Sequence, residues 1–185
     1  MEKKNTSVLY NGLIWGLILA FAGIIYNVIL YMTDQNLNQA LGYAGIIISL
    51  VVMILGIRSF RDNIRDGVLP FGTAFGFLMI IMIVSTIIGD IYTYILWTVI
   101  DPDIVGKMLD LQTEKMLEKG IPEEAMEQAM TMTAKFMQPG IMIAIATATA
   151  LFFGAILSLI IAAIFKKDES SEDPILEEET PAAAE

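Results

Sequence analysis

Four apolar runs, each long enough to cross a lipid bilayer, dictate most of what this chain can become. They occupy residues 8–32, 40–57, 71–100 and 140–165, which is 99 of 185 residues. A helix needs about 20 residues to cross the hydrocarbon core. The second run is the shortest and has to cross nearly upright, whereas the third and fourth are long enough to tilt. The runs are too long for membrane strands and lack their alternation. Inside lipid the backbone has to satisfy its own hydrogen bonds, so each run is predicted to be a helix. The fold class that follows is all-α, a polytopic membrane protein with four transmembrane helices forming residues 1–167.

Lys3 and Lys4 ahead of the first run, and Ala20-Phe21-Ala22 within it, imitate a cleavable leader. The apolar stretch continues through Ile24, Ile25, Val28 and Leu30. That is longer than a leader's apolar region, so the run is expected to be an uncleaved anchor.

Direction follows from the basic residues. Lys3, Lys4, Arg58, Arg61, Arg65, Lys166 and Lys167 are seven of the eleven, and alternation of four spans puts them all on one side. Both termini are therefore expected to be cytoplasmic. Arg58, Arg61 and Arg65 share one helical face by their three- and four-residue spacing. Two readings stay open for them: contact with anionic lipid heads, or a clamp on a phosphate-bearing substrate. The second helix should continue about two turns past its apolar run before Gly67 stops it and Pro70 opens the next.

Residues 101–139 are too long for a bare loop. Asp101-Pro102 reads as an N-cap followed by a first-turn proline, Gly120 as a stop, and Pro122-Glu123-Glu124 as a second start. Ile104, Met108 and Leu111 mark the apolar side of one helix. Met126, Ala129, Met130, Thr133, Phe136 and Met137 mark that of the other. An amphipathic hairpin outside the cytoplasm is expected. It holds six of the twelve methionines. These suit self-packing, contact with the outer leaflet or docking of a partner, and Met130-Thr131-Met132 is a weak copper(I) pattern. Residues 168–185, with eight acids, are expected to be a disordered tail.

Small residues recur every fourth position on the fourth span: Ala146, Ala150, Gly154, Ser158 and Ala162. The first span carries Gly12, Gly16 and Ala20 in the same spacing. Within lipid such ribbons allow close backbone approach, either within this chain or with another copy.

Asp90 is the one charged residue inside a span, about 7 Å outward of its middle at a rise of about 1.5 Å per residue. Insertion of a carboxylate at depth costs about 2.5–3.5 kcal/mol, so it needs a polar partner or a proton. Asn27 and Thr147 are the partners of similar depth, with Tyr26 and Tyr94 as others. Three readings remain: a head-group position beside an aromatic belt of Tyr92, Tyr94 and Trp97, a buried structural hydrogen bond, or a proton or cation site.

Chemistry is mostly excluded. The sequence has no Cys and no His, which removes thiolate and imidazole catalysis and the usual zinc, haem and copper ligand sets. No phosphate-binding glycine loop or serine nucleophile motif is present. A net charge of −10 argues against nucleic acid. No metal, cofactor or catalytic residue is expected.

Gly67 followed by Pro70-Phe71-Gly72, a long apolar span, Ile100-Asp101-Pro102, the last-span segment Leu157-Ser158-Leu159-Ile160 and the closing Lys166-Lys167 resemble a bacterial family. It is number 4199 in the domain-of-unknown-function series, and the layout is similar from about Asn5 to Lys167. The resemblance implies four membrane helices with no assigned activity. It also implies an accessory role beside membrane glycosyltransferases of envelope loci. Asp90 is not among the residues that carry it. The leading expectation is thus a non-enzymatic accessory or scaffold subunit that binds lipid and a membrane protein partner. A small oligomeric transporter or channel using Asp90 is the alternative.

Overall fold

The computed structural model describes residues 7–167, so Lys3, Lys4 and the acidic tail lie outside the described residues. Those residues are helical, in the order α1 (Val8–Met32), α2 (Gln39–Ile64), α3 (Phe71–Ile95), a π-helical turn (Leu96–Ile100), α4 (Ile104–Glu118), α5 (Glu123–Phe136) and α6 (Pro139–Phe165). Four helices are long and apolar enough to cross a membrane: Val8–Met32, Ala40–Ile64, Phe71–Ile100 and Pro139–Phe165. Many apolar side chains on their outer faces are half exposed or more, among them Phe21, Ile25, Ile47, Ile87, Ile91, Phe152 and Phe153. Such surface is stable only against lipid or protein. The chain is a multi-pass membrane protein.

Local chemistry sets the helix ends. The Ser7 hydroxyl accepts from Tyr10 N at 3.3 Å to cap α1. The Thr33 hydroxyl donates back to Ile29 O at 2.8 Å where α1 ends. Asn38 Oδ1 accepts from Ala40 N at 3.0 Å to cap α2. Past Ile64 the chain turns through left-handed backbone at Asp66 and Gly67, and Gly67 N bonds to Arg61 O at 2.9 Å. Gly67 suits that position because it has no Cβ to clash. Gly120 does the same between α4 and α5, at φ +68°.

Two expectations change at the end of α3. The third span is not α-helical throughout, because its last five residues widen into a π turn closed by Asp101 N to Leu96 O at 2.8 Å. Asp101 does not cap α4, which begins two residues later than the Asp-Pro signal implied. The Asp101 side chain is only 9% exposed and binds Lys107 Nζ at 2.9 Å. A nearly buried carboxylate gains more from an ammonium than from a helix-end amide.

α3 is the axis of the bundle. It packs along α1 on one side and α6 on the other, while α2 rests against α1. The core is concentrated toward the end that carries the arginines. Met53, Ile57, Leu69, Ala74, Phe77, Leu78, Ile81 and Ala162 are fully buried there. The Phe60 and Phe77 rings stack at 4.4 Å between centroids. Leu69, between α2 and α3, pairs its backbone with Lys167 in both directions, at 2.8 and 2.9 Å. That exchange holds the end of α6 against the α2–α3 turn.

The small residues divide by location. Gly12 and Gly16 are buried, and a Cβ on either would lie 2.7 Å from Ile80 or Val84 of α3. On α6, Gly154, Ser158 and Ala162 are buried. Ala146 and Ala150 are exposed and line a cavity, so the ribbon expected to make one continuous contact is a contact only over its second half. Ser158 Oγ is buried and has no hydrogen-bond partner.

The hairpin of α4 and α5 is present, joined where the Thr113 hydroxyl meets Met130 Sδ at 3.5 Å. Ile104 anchors its base at 2% exposure. Phe136, assigned to the apolar side by spacing, points outward at 56% exposure.

The α1–α3 seam is the contact most sensitive to volume. Gly16→Ala is expected to cost about 1–3 kcal/mol, because the methyl meets the branched Cβ of Val84 and the Ile81 carbonyl, neither of which can swing away. Gly154→Ala should cost less, since its methyl meets the flexible end of Met82. Gly76→Ala, with open space around it, should stay within about 0.5 kcal/mol of the parent. Thermal unfolding of the three variants in detergent measures the order, and equal midpoints would remove glycine contact as the basis of the seam.

Candidate functional site

Asp90 lies on α3 and is half-buried, facing an open-sided cavity of about 380 Å³ whose wall residues Gly23, Ala146 and Ala150 are exposed. The cavity draws on four helices: Asn27 of α1, Ser49 of α2, Ser85, Thr86 and Thr93 of α3, and Ala146 and Ala150 of α6. Thr86, Asp90 and Thr93 share one face of α3 by spacing. The space exists because α6 presents alanines at this height where it presents Gly154 against Met82 below.

The Thr147 hydroxyl donates to Asp90 Oδ2 at 2.7 Å and also lies 2.8 Å from the Ile143 carbonyl of its own helix. One hydroxyl hydrogen cannot satisfy both acceptors. Asn27 does not bind Asp90. Its Oδ1 accepts from the Tyr92 hydroxyl at 3.0 Å across the same cavity. Tyr26, another expected partner, donates to Leu41 O at 2.8 Å and so ties α1 to α2. Among the described residues Asp90 has no Lys or Arg partner.

Helix register fixes its depth. Trp15 opposite Gly56 and Tyr26 opposite Gly45 align α1 and α2 antiparallel. Gly12 against Ile80 and Gly16 against Val84 align α1 and α3 parallel. Carried through, these registers put Asp90 level with Ser49, which lines the same cavity. Ser49 is central in the apolar run 40–57, nine residues from Arg58. Nine residues of helix rise about 14 Å, close to half the thickness of a hydrocarbon core of about 30 Å. A bilayer that covers 40–57 therefore takes in Asp90, between the middle of that run and the point about 7 Å outward given by the middle of its own span. The head-group reading of Asp90 does not fit this register. Tyr92 also leaves the expected aromatic belt, since its hydroxyl turns inward to Asn27; Tyr94 is exposed.

The arginines rest on aromatic rings at the end of the bundle. The Arg58 and Arg61 guanidinium groups lie 5.5 and 5.7 Å from the centre of the Phe165 ring, and Arg65 lies 5.9 Å from that of Phe60. Arg61 is also paired with Asp62 at 2.6 Å. Cation–π contact leaves Arg58 and Arg65 free to meet anionic heads while resting on the bundle.

At the far end a second hollow of about 420 Å³ lies between α4 and the α1–α2 turn, with Asn36, Asn38, Met108, Gln112, Lys115 and Met137 around it. Among the described residues no group of three or more Asp or Glu side chains is placed to hold a metal ion. Thr86 and Thr93 were not singled out from the sequence, although their i, i+4, i+7 spacing with Asp90 could have marked them. Ser49 and the inward turn of Tyr92 had no such signal, because they depend on the registers of separate helices.

Lys107 has its pKa raised above the usual lysine value, first by the hydrogen bond to Asp101. A raised lysine stabilises the fold below its ordinary value, about 10.4, and that contribution is lost as pH rises through the folded value. Lys107→Met should therefore lower the unfolding midpoint at neutral pH, and the gap from the parent should close as pH passes that range. A gap that does not change with pH would mean that the pairing with Asp101 contributes nothing.

The family model described as protein of unknown function (DUF4199) matches residues 14–167, most of the chain, and the chain belongs to that family. Neither a curated protein nor a solved structure matches it.

Proposed function

We propose that this member of the family is a non-enzymatic membrane carrier that uses the Asp90 cavity to take up a proton or small cation. The observation that carries the reading is a carboxyl group within a membrane-length apolar helix, opening onto a cavity that four helices build within a single chain. An ionisable residue at that depth is costly unless it serves a pathway or a bound charge. The absence of Cys and His from the sequence, and of a second acid from the spans, supports a role without bond-making chemistry. The cavity needs no oligomer to form it, which refines the alternative drawn from the sequence.

A second reading keeps the accessory subunit. The observation in its favour is the hollow between α4 and the α1–α2 turn, with Met108 and Met137 at its rim, a surface suited to an adaptable protein contact.

Proteoliposomes enclosing a pH-sensitive dye separate the two. Wild-type protein is expected to pass protons or cations down an imposed gradient, and Asp90→Asn should fall to the level of empty vesicles while staying folded. No flux in the wild type would return the protein to the accessory reading.

The proposed setting is the cytoplasmic membrane of a bacterium, with both termini inside. Arg58, Arg61, Arg65, Lys166 and Lys167 at one end of the described bundle support that direction, and Lys3 and Lys4 precede the first span in the sequence. The chain has no cysteine of its own, so introduced ones report cleanly. Gln35→Cys and Lys119→Cys should react with an impermeant thiol reagent added outside the cytoplasmic membrane, and Asn63→Cys should not. The reverse pattern would invert the orientation.

A further inference from the structure

We infer that the Asp90 cavity is a binding site for one monovalent alkali cation. The inference deepens the carrier reading and rests on it. Three features of the cavity select this class of ligand. The first is charge. Asp90 is the only acid among the residues around the cavity, and no Lys or Arg among the described residues reaches it. An ionised Asp90 therefore presents one negative charge in surroundings where unbalanced charge is costly. One monovalent cation cancels it. A divalent ion would leave an excess positive charge at the same depth.

The second feature is donor type. The polar side chains at the cavity offer oxygen: the Asp90 carboxylate, the Asn27 amide oxygen, and the hydroxyls of Thr86, Thr93 and Thr147. Hard oxygen ligands suit hard cations, and imidazole and thiolate, which would favour transition metals, are absent from the sequence. A site for a proton alone would not require oxygen donors from several helices.

The third feature is unfilled acceptor capacity. An ionised carboxylate has about four lone-pair sites. Asp90 receives one hydroxyl bond, from Thr147, and that hydroxyl is also within reach of Ile143 O. When Thr147 donates to its own helix, its oxygen and both Asp90 oxygens are free to meet a cation. At about 30 Å³ per water, a cavity of about 380 Å³ holds an ion together with part of its hydration shell. The protein oxygens therefore need not supply the whole shell.

Ligand-linked stability tests this directly, without relying on flux. The purified full chain in an uncharged detergent is unfolded by heat in sodium chloride, potassium chloride, magnesium chloride or choline chloride at matched ionic strength. Sodium or potassium is expected to raise the Tm saturably by about 3 °C or more, through binding to the folded state only. Choline and magnesium should not. Asp90→Asn should abolish the alkali effect, and Thr147→Ala should shift it to higher salt. If Asp90→Asn does not fold, the Thr147→Ala titration alone decides.

An equal rise in choline or magnesium, a rise that survives Asp90→Asn or is unmoved by Thr147→Ala, or no rise with either alkali salt would overturn the site. The carrier reading fails separately. Alkali-dependent stabilisation without flux keeps the site and removes transport, whereas proton flux without such stabilisation does the reverse.

Discussion

The arrangement depends on how closely α1 and α3 approach one another. Gly12 and Gly16 leave no side chain between the helices, so Ile80 and Val84 of α3 lie against the α1 backbone. In lipid there is little gain from bringing apolar side chains together, because acyl chains solvate them equally well. Close van der Waals contact has to supply the association. Glycines one turn apart allow that contact and also fix its register, since a helix shifted by a residue would set the branched side chains of α3 against larger neighbours.

Once α1 and α3 are locked, the other helices have less freedom. α2 meets α1 at Gly56 against Trp15, and the Tyr26 hydroxyl bonds to Leu41 O nearer the other end. α6 meets α3 through Gly154, Ser158 and Ala162, and its end is held by the backbone exchange between Leu69 and Lys167. The dense core therefore forms toward the end that carries the arginines. Further along, α6 presents Ala146 and Ala150 to a cavity rather than to a neighbour. Dense packing below and open space above come from the same helices. The rigid part positions the polar part to the accuracy of a helix register.

The far end is joined differently. The π turn at Leu96–Ile100 and the Asp101–Lys107 pair connect α3 to the α4–α5 hairpin, and among its described residues only Ile104 is buried. A π turn within a long helix often marks a functional position. By the helix registers it lies level with the last turn of α1 and the first turn of α2, so the irregular backbone sits at the edge of the spans and not at their middle, where unsatisfied groups are most costly.

Four spans, their limits at Met32, Phe71, Ile100 and Phe165, the overrun of α2 past its apolar run, and the stops at Gly67 and Gly120 were all readable from the chain. Each depends on local chemistry: the length of an apolar run, a glycine that can take left-handed backbone, a proline that starts a helix. The sequence alone also singled out Asp90 and named Thr147 as a partner, because charge inside an apolar run is visible without coordinates. It could not say that Asn27 would turn to Tyr92, that Asp101 would bind Lys107 instead of capping α4, or that the α6 ribbon would be half contact and half cavity wall. The Asp101–Lys107 pair is local, six residues apart, and depends on where α4 begins; the other two outcomes depend on which residues of different helices stand at the same height. That height is set by van der Waals fit between surfaces far apart in the chain. Sequence spacing determined which faces could meet, and only the packed structure decided which did.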